Sequence, residues 1–170
     1  MPCGRPGYSP ATNTGEGHME NSIGQFCINV SDIDRAVEFW EGVIGIPVSS
    51  RTDIPNVKEV VLQAEVGGSR IQLAQHLDHE GPIDMGSAMW KLYVDTEDCQ
   101  ALYDKAIAAG CESVSPPQQL DRWPVTVAFV KDFDGYLIEL IEYHQGTPPL
   151  VPDPGSVTTG RAASPARPPA

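Results

Sequence analysis

The stretch Asp132-Phe133-Asp134-Gly135-Tyr136-Leu137-Ile138-Glu139-Leu140-Ile141-Glu142 decides the fold of this 170-residue chain. Asp-Gly suits a two-residue hairpin turn, whose central positions need a positive φ that glycine takes without a Cβ clash. Val127-Ala128-Phe129-Val130 leads into the turn and Leu137 to Tyr143 leads out of it, which predicts a β-hairpin. On the outgoing strand Leu137, Glu139, Ile141 and Tyr143 share one face, and Ile138, Leu140 and Glu142 share the other. Glu139 is thus a carboxylate between apolar neighbours. Burying it is costly unless it pairs, holds a metal or takes up a proton, which makes it the candidate catalytic group.

Composition bounds what that carboxylate serves. A chain of this length with 41% hydrophobic residues suits one domain with a real core. The net charge is −12 with only 11 Lys plus Arg, and no basic cluster occurs. That argues against nucleic acid and anionic membrane, and leaves a small molecule as the expected partner. Cys3, Cys27, Cys99 and Cys111 lie far apart without a C-x-x-C, so neither a zinc site nor a disulfide framework is expected. With no apolar signal region at the N-terminus and no membrane-length apolar run, the expected location is cytoplasmic.

Composition shifts at both ends. Residues 1–20 are rich in Gly and Pro and poor in large aliphatics, and are expected to be a disordered leader, with Met1 or Met19 as the start. Residues 146–170 read as a disordered Pro-rich tail. The domain between them, 21–145, opens with a strand from Gln25 to Val30. A helix starting at the Ser31-Asp32-Ile33-Asp34 capping pattern follows, carrying Ile33, Val37, Trp40 and Ile44 at helical spacing up to Gly45. Val57 to Glu65 and Arg70 to His76 read as two strands around Gly67-Gly68. A second unit repeats the order: a strand from Met89 to Val94, a helix capped at Thr96-Glu97-Asp98 and ending before Gly110, a Pro116-Pro117 loop, then the closing hairpin.

The two units, 21–80 and 87–145, overlay as a tandem β-α-β-β repeat. Val30 falls on Val94, Asp34 on Asp98, Gly68 on Gly135, Ile71 on Ile138 and Leu73 on Leu140. Gln25 then falls on Met89 and Gln72 on Glu139, giving four positions on the inward faces of four strands. The predicted class is α+β, with the two modules forming a curved, cup-shaped mixed sheet around one cavity.

The run from Gln25 to Trp40 and the run from Asp132 to Glu142 resemble the vicinal-oxygen-chelate superfamily, which includes glyoxalase I, extradiol dioxygenases, methylmalonyl-CoA epimerase and bleomycin-resistance proteins. The resemblance covers about 22–144, and the closing motif is most similar to bacterial glyoxalase I. It implies metal ligands at the positions of Gln25, Gln72, Met89 and Glu139. Only Glu139 is a typical ligand, and Met89 offers a soft thioether to ions that prefer oxygen and imidazole. The resemblance implies a divalent cofactor such as Ni, Zn or Co, for which one carboxylate and two amide oxygens offer little charge.

Two readings follow. The first is a lyase or isomerase resembling glyoxalase I or an epimerase, in which Glu139 is the general base for removing a proton next to a carbonyl. The second is a metal-free binding or resistance protein, or a metal-independent tailoring enzyme, acting on an aromatic or polyketide-like compound. In either, Gln25, Gln72, Met89, Trp90, Trp123 and His76 are the expected substrate-binding residues. An extradiol dioxygenase fits less well, because the strand positions lack its two histidines. The resemblance also implies a homodimer, since two modules must combine to close a cup.

Overall fold

A computed structural model describes residues 24–65 and 69–144. The expected leader and tail lie outside the described residues, as does the Gly67-Gly68 turn. The first module holds β1 (Gln25–Asn29), β2 (Val48–Ile54), β3 (Val57–Leu62) and β4 (Arg70–His76), in the order β1-β4-β3-β2. The second holds β5 (Leu92–Asp95), β6 (Glu112–Gln119), β7 (Val125–Lys131) and β8 (Leu137–Tyr143), in the order β5-β8-β7-β6. In each sheet the first and last strands pair in parallel and the rest antiparallel. The parallel pairs are allowed by the helical crossovers between them.

One helix follows each first strand. Helix α1 (Ile33–Val37) is capped by Asp32, whose carboxylate accepts from the Asp34 and Arg35 N–H groups. It continues as a π-helical segment from Glu38 to Ile44 and stops at Gly45, with φ 90°. Helix α2 (Cys99–Ala108) is capped by Asp98, which accepts from the Ala101 N–H. Both helices lie on one common core. Ile28, Val30, Phe39, Trp40, Leu62 and Leu73 of the first module join Val94, Ala106, Ile138 and Leu140 of the second in it. The opposite faces of both sheets carry Gln72 and Glu139.

The expected α+β repeat is present, and each module carries one strand more than expected. Strand β2, Val-Ser-Ser-Arg-Thr-Asp-Ile, is an edge strand with exposed side chains, so it lacks the alternating apolar signal of a half-buried strand. The Pro116-Pro117 segment is part of edge strand β6, not a loop. Proline is tolerated there because one side of an edge strand needs no ladder N–H, and the pairing register shifts around it.

The closing hairpin is correct but its turn is not the two-residue type. Lys131 pairs with Leu137, leaving a five-residue connection from Asp132 to Tyr136. Gly135 has φ 93°, whereas Asp134 is not among the residues with positive φ. Asp132 shapes this loop: its carboxylate accepts from the Asp134 N–H at 3.0 Å and from the Tyr136 N–H at 2.8 Å. The loop also ties the modules together. Tyr136 Oη donates to the Asn29 carbonyl at 2.7 Å, and the Ser31 N–H donates to Asp134 at 3.1 Å.

The strand register corrects the overlay of the two halves. Cys27 pairs with Gln72, and Tyr93 pairs with Glu139. The residue two before Cys27 is Gln25; the residue two before Tyr93 is Lys91, not Met89. Two equivalent hydrogen bonds support this alignment independently. Gln75 accepts from the Ile33 N–H at 3.2 Å and Glu142 from the Cys99 N–H at 2.9 Å, each at the start of its module's helix. The helix caps agree, since Asp32, rather than Asp34, is the counterpart of Asp98.

Candidate functional site

Glu139 stands in the middle of β8, flanked by Tyr93 on β5 and Phe129 on β7. It is the sole polar or charged member among the buried described residues, 7% exposed. Its carboxylate accepts a hydrogen bond from Lys91 Nζ, and the two form an ion pair whose side chains keep 9% and 11% of their surface. The ammonium also lies 4.3 Å from the Trp90 ring centroid, 4.7 Å from Tyr93 and 5.5 Å from Phe129. Rings at these distances offer their negative faces to the cation. Burial alone would lower the Lys91 pKa, but hydrogen bonds to Glu139 and Tyr93, with their charges, outweigh it and raise it above the ordinary lysine value. Lys91 is therefore an ammonium at neutral pH.

The same face continues as an apolar floor. Ile141, Val125 and Val127 form a small second cluster with Leu120, Phe129 and Tyr143. Trp90 and Tyr93 stand at its edge, 77% and 54% exposed. Strand alternation produces this arrangement: Ile138 and Leu140 point to the helices, so Glu139 and Ile141 point away from them.

On the first module, Gln25 Nε2 donates to Gln72 Oε1. This couple is the neutral counterpart of Lys91 and Glu139, at equivalent positions on the two parallel strand pairs. Cys27 lies between them in sequence, its thiol held above the usual value by burial first and by the charge of Glu59 second, which keeps it from being a thiolate nucleophile. All three described cysteines are free.

The other expected site residues fall in different places. Met89 lies in the segment before β5 and is exposed, so it is not on the inward strand face where the overlay put it. Trp90 is brought to Lys91. Trp123 sits in the loop before β7, over which Arg122 stacks at 4.8 Å; the Val125–Tyr143 pair separates that loop from Glu139 along the sheet. His76 ends β4 opposite Val57 and is exposed. Among the described residues no three His, Cys, Asp or Glu side chains converge on a point fit for a metal ion. Lys91 is the residue that sequence reasoning missed. Aligning the halves on their helix caps rather than on Val30 and Val94 would have found it.

No described helix is long and apolar enough to cross a membrane. The glyoxalase I from Zea mays matches with a TM-score of 0.65 at 21% identity, over 74% of this chain and 46% of that one. The glyoxalase I of Leishmania major matches at 0.62 and 21%, over 72% of this chain and 87% of that one. Among sequences, a probable lactoylglutathione lyase of Synechocystis is 26% identical over 68% of this chain and 90% of its own length. A lactoylglutathione lyase of Arabidopsis thaliana is 28% identical over 66% of this chain, which spans only 41% of that protein. A family model matches residues 22–140, and the chain therefore belongs to the Glyoxalase/Bleomycin resistance protein/Dioxygenase superfamily.

Proposed function

We propose that this protein is a small-molecule lyase or isomerase of the glyoxalase type, in which Glu139 moves a proton next to a carbonyl. The observation that carries the reading is the buried Glu139 carboxylate paired with Lys91 over an apolar floor. A fixed carboxylate beside a fixed cation is what proton abstraction requires, one to accept the proton and one to stabilise the oxyanion that forms. Trp90 serves as a stacking wall, and Gln25 and Gln72, which lie on the other sheet, serve as polar contacts contributed by a second copy; Met89, Trp123 and His76 are left outside this site. The relatives named lactoylglutathione lyase suggest the first substrate to try, the adduct of glutathione with a 2-oxoaldehyde. The exposed faces around Glu139 fit a homodimer, in which a second copy would cover them.

The test is turnover of that adduct by wild type and by Glu139→Gln, with circular dichroism confirming that the variant is folded. The amide keeps the shape but cannot accept the proton, so turnover should fall about a thousandfold. Equal turnover would defeat the reading. The second reading, a binding protein for a flat ligand, is favoured by the exposed Trp90 and Tyr93 rings beside the ammonium. It predicts ligand affinity with no turnover in either form.

A further inference from the structure

Proton abstraction at Glu139 needs an electrophile, and the donors present do not suit a metal ion. A divalent ion needs several anionic or imidazole donors free to turn toward it. Here the Gln25 and Gln72 amides are engaged with each other, and the one carboxylate already holds an ammonium. The place corresponding to Gln25 in the second module is filled by Lys91, and Met89 lies outside the strand.

Resting on the function proposed above, we propose that Lys91 is a catalytic residue that supplies the site's positive charge as a built-in ammonium, and that it binds the carbonyl or enolate oxygen of a flat, conjugated or aromatic compound. The exposed Trp90 and Tyr93 rings beside the ammonium give such a compound its wall, and Phe129 with Ile141 gives it a floor. The substrate oxygen shares the Lys91 N–H groups with Glu139, drawing the ammonium partly away and leaving a carboxylate oxygen open. Glu139 then takes the proton on the carbon next to the carbonyl. The C–H electron pair becomes a C=C bond, and the carbonyl π pair moves onto oxygen, which accepts a hydrogen bond from Lys91. Protonated Glu139 returns the proton to the γ-carbon of the extended enolate, the oxygen pair re-forms the carbonyl, and the double bond is shifted along the compound. Nothing is oxidised or reduced overall, and no co-reactant is consumed.

The experiment titrates Co²⁺ alone into wild type, into Lys91→His, which sets an imidazole beside Glu139, and into Met89→His, by calorimetry and visible absorption. Wild type and the Met89 variant should bind only at millimolar concentration, whereas the Lys91 variant should bind about a hundredfold or more tighter. Micromolar Co²⁺ binding by wild type would overturn the proposal, as would a Met89 variant that binds as tightly as the Lys91 variant. A folded Lys91 variant that gains no affinity would also overturn it; if that variant does not fold, the wild-type titration alone decides. Turnover separates this from the reading it rests on. If the metal results come out as expected while wild type turns over no adduct, the ammonium stands as a ligand anchor and the lyase reading fails.

Discussion

Asp132 carries two opposing demands in one side chain. Burial pushes its carboxyl up to about 6, against the hydrogen bonds from the Tyr136 and Asp134 N–H groups that favour the ionised form. In the unfolded chain the group titrates near 4. Between those two values the folded protein holds a proton that the unfolded chain has released. Stability should therefore fall as pH rises through about 4 to 6, by up to about 3 kcal/mol from this residue. Asp132→Asn keeps an acceptor for both N–H groups but cannot ionise. Its urea-unfolding midpoint, compared with wild type at pH 4.5 and 7, should show a smaller drop across that window.

The elements were legible wherever one face is buried. Gln25–Asn29 and Arg70–His76 read correctly because their alternation sets a helix-facing apolar row against a mostly polar one, and Leu137–Tyr143 because it is an apolar run on both faces bounded by the Asp-Gly turn. Strands β2 and β6 were not, because an edge strand with both faces exposed carries no apolar period, and Pro116-Pro117 mimics a loop. The site was legible in part. Glu139 and Gln72 stand out as polar residues in apolar strands, whereas Lys91 looks like an ordinary strand-entry lysine until the register is known. A shift of two residues keeps the same strand face, so alternation alone could not separate Lys91 from Met89. The five-residue connection from Asp132 to Tyr136 is also the link between modules. Tyr136→Phe removes its hydrogen bond to the Asn29 carbonyl and should cost about 1 kcal/mol in chemical denaturation, with the hairpin otherwise intact.

At the scale of the whole molecule, the two modules share one core on their helical sides, which leaves the Gln72 and Glu139 faces turned away from it. On the Glu139 side Trp90 and Tyr93 stay exposed, large aromatic side chains in a chain with net charge −12. The homodimer proposed above would cover them, and closed twofold assembly is the commonest kind. Light scattering at micromolar concentration should return the mass of two chains, and Trp90→Glu should shift it toward one. A wild-type monomer would contradict the dimer.

The central claim is that Lys91 and Glu139 act as one buried pair, and a double-mutant cycle on folding stability tests it without knowledge of the substrate. Lys91→Met and Glu139→Gln each strand a charge in a largely dry site. Each alone should cost roughly 2–4 kcal/mol, the lower part of the range for buried pairs because both side chains keep about a tenth of their surface. The double variant, with neither charge, should recover most of that loss. Strictly additive costs would mean that the two side chains do not interact, and the site described here would be wrong.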